Sequence, residues 1–212
     1  MCRQLDQTVH GGTILVGWPT VLVGGPAFQL PGNIQVKGPA SYQNQVIRDL
    51  FVLSTTPSGR DLLKRLGDSN QTVEIVPEAD PHNSFCSPNS SILAKVRSPT
   101  GSTVSYNPGV AIKVYDRAGN PVDEPPQVVL GHELVHALDN AEGNHSYGTD
   151  SNPPASEPTI PEEEARAIGT GSHTADSPTE NTIRNDLGLP ARDNHYGTNA
   201  PTPTGNMRPG GY

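Results

Sequence analysis

Cysteine, aromatic residues and, over the second half of the chain, positive charge are all scarce. Cys2 and Cys86 are the only cysteines among 212 residues. Two thiols can form one disulfide at most, which excludes a disulfide framework and a cysteine-only zinc site; unpaired thiols in a reducing cytoplasm are expected. Aromatics make up 5% of the residues, and Leu, Ile, Val and Phe together supply only about a fifth, the level near which chains lose the capacity to fold. A densely packed domain using every residue is therefore excluded. A core of roughly 100–150 residues between loose flanks fits better.

Long apolar runs are also missing. The start of the chain lacks a basic stretch followed by an apolar segment, so no signal peptide is read there. The uncharged stretch from Asp6 to Lys37 is broken by Gly17, Pro19, Gly24, Gly25, Pro26, Pro31 and Gly32, a pattern that a membrane-spanning helix would not tolerate. Residues 118–212 contain no lysine, 4 arginines and 14 acidic residues, whereas residues 1–117 carry 10 basic and 8 acidic residues. So acidic a half argues against nucleic acid as a partner. Solubility is the simplest reason for it, and a basic protein substrate would be compatible.

What is abundant is glycine and proline, 22 of each. They punctuate short β-rich runs at 14–16 and 20–23. Helical spacing follows at Val46, Ile47, Leu50, Phe51 and Leu53, and again at Leu62, Leu63 and Leu66, with Gly67 as a stop; a tight turn would make these two antiparallel helices. Residues 72–77, 91–97, 103–106 and 110–115 read as strands, with turn chemistry at 107–109 and 116–120. Residues 127–142 form the clearest helix, capped by Asp123 or Glu124, apolar around much of its circumference and ended by Gly143. Shorter helices are expected at 162–168 and from about 178 to 187, with Thr179 as cap and Gly188 as stop. Residues 198–212 are low in complexity and read as a disordered tail.

The chemistry lies in Gly131-His132-Glu133-Leu134-Val135-His136, an H-E-x-x-H match. One helical turn separates the two histidines, so both imidazoles face one side and can reach a single Zn²⁺. Glu133 reaches the open side of that metal, where it can take a proton from water. A catalytic zinc needs a third protein ligand; His145, Asp150, Glu157, Glu162, Glu163, Glu164 and His173 are all candidates.

His132–Asp139 (HELVHALD) followed by Glu163-Glu164-Ala165-Arg166-Ala167-Ile168-Gly169 resembles the gluzincin arrangement of clostridial neurotoxins and of the M91 family of bacterial effector peptidases. Laid on this sequence, the resemblance implies Glu163 as the third zinc ligand, Glu164 as an outer-shell residue and Arg166 as the motif arginine; Ala167 replaces a threonine. A third glutamate, Glu162, leaves the register open by one residue. Thr56-Pro57-Ser58-Gly59-Arg60-Asp61-Leu62-Leu63 is similar to the same family's T-P-x-G-x-x-L-L helix start. Glu180-Asn181-Thr182-Ile183-Arg184, Gly188-Leu189-Pro190-Ala191-Arg192 and Tyr196 resemble its tail. By analogy with the neurotoxins, Arg192 and Tyr196 are candidates for stabilising the tetrahedral intermediate.

A second resemblance concerns the N-terminus. Residues 10–28 (HGGTILVGWPTVLVGGPAF) look like the last repeat of PAAR-like proteins that tip type VI secretion spikes, with Trp18 in place of a serine and Gly25 after Gly24 where Asn-Gly is common. His10 and Cys2 are read either as remnants of that family's zinc site or, with a single histidine in this stretch, more simply as unligated.

The resulting expectation is an α+β, zincin-like metalloprotease domain over 41–197, a PAAR-like remnant or delivery segment over 1–40, and a tail over 198–212. Its function would be that of a zinc endopeptidase, a secreted effector toxin made in a bacterial cytoplasm and translocated into a target cell. The partners implied are a protein substrate, a secretion-spike protein and a cognate immunity protein. The substrate would pair with an edge strand beside the active helix, for which residues 110–115 are the candidate. The rival readings are a spike adaptor with structural zinc and a cell-wall peptide amidase.

Overall fold

A computed structural model describes residues 28–110 and 112–197 of the chain. The PAAR-like stretch, with Cys2 and His10, lies almost wholly outside these residues, as does the tail beyond residue 197. The fold is α+β. Among the described residues, two small sheets and five further α-helices accompany the long helix that carries the H-E-x-x-H match.

The first described strand, β1 (Ile34–Val36), leads into α1 (Ala40–Thr55) and α2 (Pro57–Asp68). The apolar spacing of α1 is realised as a buried stripe of Tyr42, Val46, Leu50 and Leu53. Thr56 ends α1 and begins α2, its hydroxyl accepting from the Gly59 amide at 3.0 Å. This helical hairpin brings the chain back so that β2 (Val73–Pro77) lies parallel to β1, placing residues before position 41 in the sheet. In β2, Val73 and Ile75 are fully buried and alternate with more accessible neighbours, as the pattern predicts.

Two expectations are corrected next. Residues 91–97 do not form a strand: Ser90 caps a short helix, α3 (Ser91–Lys95), its hydroxyl accepting from the Leu93 amide at 3.3 Å. The strand instead precedes it as β3 (Phe85–Pro88), which runs antiparallel to β4 (Ser102–Tyr106). The sheet order is β1-β2-β4-β3, so β3 is an edge. Residues 110–115 do contain a strand, β5 (Ile112–Asp116), but it is not an edge. It sits at the centre of a second sheet between β6 (Pro121–Glu124) and β7 (Arg192–Gly197), so its backbone is already paired on both sides. Asp116 closes the β5–β6 turn, its carboxylate accepting from the Ala118 and Asn120 amides at 2.9 and 2.8 Å.

Helix α4 (Pro126–Glu142) is buried along most of its length. Pro125 stands at its N-cap and no side chain caps it, so neither Asp123 nor Glu124 plays the expected part. Gly143 ends it in the left-handed conformation at φ +72°, as expected. Gly131 permits close packing: a Cβ there would lie 2.8 Å from Ile183 Cδ1. α5 (Glu162–Ile168) and α6 (Glu180–Asp186) follow. Thr179 forms a full capping box with Thr182 at the start of α6. Among the described residues no helix is long and apolar enough to cross a membrane.

Candidate metal centre and cleft

Helix α4 places His132 and His136 one turn apart, with Glu133 beside the first, and the histidine Nε2 atoms face each other at 3.1 Å. Helix α5 brings a carboxylate to the same point. Glu164 Oε2 lies 3.3 Å from His132 Nε2 and 3.5 Å from His136 Nε2. It is buried and accepts no hydrogen bond in this structure. These three residues form a group whose ligand atoms all lie within 4.8 Å of one another. The preceding glutamate turns elsewhere: Glu163 Oε2 faces His145 Nε2 at 3.4 Å. One residue advances a helix by about 100°, so two adjacent glutamates cannot both point at the α4 histidines. Arg166 holds α5 in place through its Nε, 2.9 Å from Asp139 Oδ1 on α4.

The spacing fits a metal. Around Zn²⁺ with ligands at 2.0–2.1 Å, a tetrahedron has edges of about 3.3–3.4 Å. The three observed separations, 3.1, 3.3 and 3.5 Å, bracket that length. A buried carboxylate oxygen without a hydrogen-bond partner is costly unless something else satisfies it.

Behind His132 stands a second layer. Its Nδ1 faces Glu180 Oε2 at 3.0 Å, which leaves Nε2 free to point at the metal position. Glu180 is fully buried and also receives Arg192 Nη1 at 2.9 Å and Arg184 Nη1 at 3.3 Å. Burial alone would raise its carboxyl, but Arg192, His132 and Arg184 outweigh that and hold it at about 2. Burial likewise opposes ionisation of Glu164, yet the surrounding His136, His195 and His132 hold it well below the usual carboxylate range. Burial disfavours a charged His132, and the carboxylates of Glu164 and Glu180 beside its ring more than reverse this. Glu133 is pushed up by burial, against the lowering pull of His132 and His136.

Arg192 and Tyr196 do not present their polar ends as the resemblance implies. The Arg192 guanidinium is buried, with Nε donating to Asn194 O at 2.7 Å, Nη1 meeting Glu124 Oε1 at 3.1 Å as well as Glu180, and Nη2 donating to His195 O at 2.6 Å. Four of the five N–H donors are spent on the protein. Tyr196 hydrogen-bonds towards Glu157 and Thr159. The β7 residues that line the cleft are His195, in both of its cavities, and Arg192, in the smaller.

The cleft comprises two cavities of about 650 and 380 Å³. The larger is lined by His132, Glu133, His136 and Glu164 on one side and by Phe85 and Cys86 of the β3 edge on the other. Cys86 is a free thiol. Sequence reasoning missed β3, Glu124 and His195. Nothing local marks them: Glu124 and His195 matter through partners far away in the chain.

The fold and this cluster define an α+β domain with an H-E-x-x-H helix and a buried donor set able to hold a metal. A family model, Peptidase M91, described as effector protein, matches residues 31–196, and the chain belongs to that peptidase family. Among solved structures, the fold is similar to the light chain of botulinum neurotoxin serotype HA, with 18% identity over 53% of this chain and 37% of that chain and a TM-score of 0.44. It is also similar to the Clostridium botulinum neurotoxin serotype F light chain, with 14% identity over 69% of this chain and 48% of that chain and a TM-score of 0.48. The chain spans less than half the length of either light chain. A search of curated proteins gives no match.

Proposed function

We propose that the chain is a zinc-dependent endopeptidase that acts, as an effector, on a protein of a target cell. The observation that carries this reading is the buried Glu164 oxygen, without a hydrogen-bond partner and set at tetrahedral spacing from His132 and His136. His132, His136 and Glu164 would hold the ion, with Glu164 taking the place that the sequence resemblance gives to Glu163. When bound, zinc lowers the pKa of water and polarises the scissile carbonyl.

The protein's own residues supply the rest. Glu133 takes a proton from the attacking water as the water oxygen bonds to the carbonyl carbon and the carbonyl π pair moves onto its oxygen. As that pair returns and the C–N bond breaks, Glu133 passes the proton to the leaving amine. The raised Glu133 carboxyl suits a group that must both accept and release a proton. Glu180 fixes the ring of His132, and Arg192 and Arg184 fix Glu180. The edge strand β3 replaces residues 110–115 as the strand against which an extended substrate would lie, because Phe85, Cys86 and Pro88 line the larger cavity along its unpaired edge, whereas the edge strand β7 contributes only His195 there.

The test is mass spectrometry of new N-termini in target-cell lysate, comparing wild type with Glu133→Gln. Cleavage of one or a few proteins by wild type only is expected. A Glu133→Gln protein that retains zinc and full cleavage or toxicity overturns the reading. Cleavage of peptidoglycan fragments with proteins left intact would make the chain an amidase instead.

A further inference from the structure

The two cavities share Asn83, Ser84, His132, Glu133 and His195. One runs from this junction along the β3 edge, and the other runs towards Ile112, Val129 and Arg192. A peptide occupying both would place its reacting carbonyl at the junction, beside Glu133.

Asn83, Ser84 and His195 all carry donors at that junction, and His195 is the one set against the metal-binding cluster. Its ring is 44% exposed, and its Nε2 lies 3.6 Å from Glu164 Oε2, beyond hydrogen-bond length. It does not belong to the compact His132–His136–Glu164 group, whose ligand atoms all lie within 4.8 Å of one another. Its backbone is fixed on both sides. The amide donates to Glu157 Oε2 at 2.6 Å, and the carbonyl accepts from Arg192 Nη2 at 2.6 Å. A rigid backbone carrying an exposed ring at a reaction centre is the arrangement that preorganised charge stabilisation requires. Arg192, with four of its five donors spent, and Tyr196, turned to Glu157 and Thr159, are largely committed elsewhere.

We infer that His195 is a catalytic residue whose Nε2–H donates a hydrogen bond to the scissile carbonyl oxygen as negative charge develops on it. The inference rests on the peptidase reading. No proton leaves His195: the bond strengthens while the water oxygen adds to carbon and relaxes when the C–N bond breaks. Arg192 is then a positioning residue that holds the His195 backbone.

Two measurements on the full chain test this. The first is calorimetric binding of inorganic phosphate, a tetrahedral oxyanion, to the zinc-loaded protein. His195→Ala should weaken phosphate at least tenfold with zinc content unchanged, and His195→Gln, which keeps a donor, should recover part of the loss. The second is cleavage of a peptide spanning a site found in the lysate experiment. Here kcat should fall about 10²–10³-fold with KM nearly constant. Phosphate affinity within twofold of wild type in His195→Ala, or a loss confined to KM, overturns the inference. If wild type cleaves nothing, the peptidase reading fails, and the phosphate measurement still decides the position of His195.

Discussion

Among the described residues, two groups bring histidine and carboxylate donors within metal-binding distance: His132 with His136 and Glu164, and His173 with Asp150 and Glu162. By proximity alone they are equivalent. Their hydrogen bonds separate them. In the second group Asp150 accepts from the Ser172 amide at 2.9 Å, from the Ser172 hydroxyl and from the Asn152 amide at 3.2 Å. Both His173 nitrogens are engaged, Nε2 with Glu162 at 3.0 Å and Nδ1 with Asp176 at 2.7 Å. In the first group Glu180 occupies His132 Nδ1, while Glu164 Oε2 is left unsatisfied. Unspent lone pairs aimed at one point make a metal centre; donors that already satisfy one another make a clasp.

The comparison breaks most visibly on metal content. Purified wild type should carry one zinc per chain by elemental analysis. His136→Ala should carry almost none, and His173→Ala should still carry one. A count of two, falling to one in His173→Ala, would make the second group a metal site as well. The next effect separates neighbours on α5: Glu164→Gln should cost far more zinc affinity in a competition titration than Glu163→Gln. The reverse order would restore the register implied by the sequence resemblance. A smaller effect is expected at Glu180→Gln, where zinc affinity should fall about 10–100-fold because the ring of His132 loses its orienting carboxylate. Buried Arg184 and Arg192 would lose a charged partner in the same variant, so its melting temperature should also drop.

How much of this was legible in the sequence depends on the range of the signal. The α4 turn, the Gly143 stop and the Thr179 cap rest on residues within a turn of each other, and they are found where their spacing puts them. Metal-ligand pairing on one helix is equally local. The third ligand depends on the rotational phase of α5, and three successive glutamates leave that phase undefined until the helix is packed against α4 through Asp139 and Arg166. The same holds for His195 and Tyr196: adjacent strand residues point to opposite faces, and only the pairing of β7 with β5 decides which one meets the cleft. Residues 110–115 had the right alternation for a strand, but alternation says nothing about whether a strand is an edge. That β5 is central follows from β7, which comes from the far end of the domain.

The smallest effect probes the clasp through Asp150. Burial would raise its carboxyl, but the hydroxyl and amide of Ser172 and the amide of Asn152 outweigh burial and depress it. A carboxylate with a depressed folded-state pKa contributes stability above its unfolded value of about 3.9, and that contribution is lost as pH falls through the folded value. Asp150→Asn should therefore lower stability by about 1–2 kcal/mol at neutral pH, the scale of hydrogen bonds to a charged acceptor. The gap between the melting temperatures of variant and wild type should narrow as pH drops below about 4. Zinc content should not change. A gap that stays constant with pH would mean that Asp150 contributes through shape rather than charge, and zinc loss in the same variant would mean that the two groups are not independent.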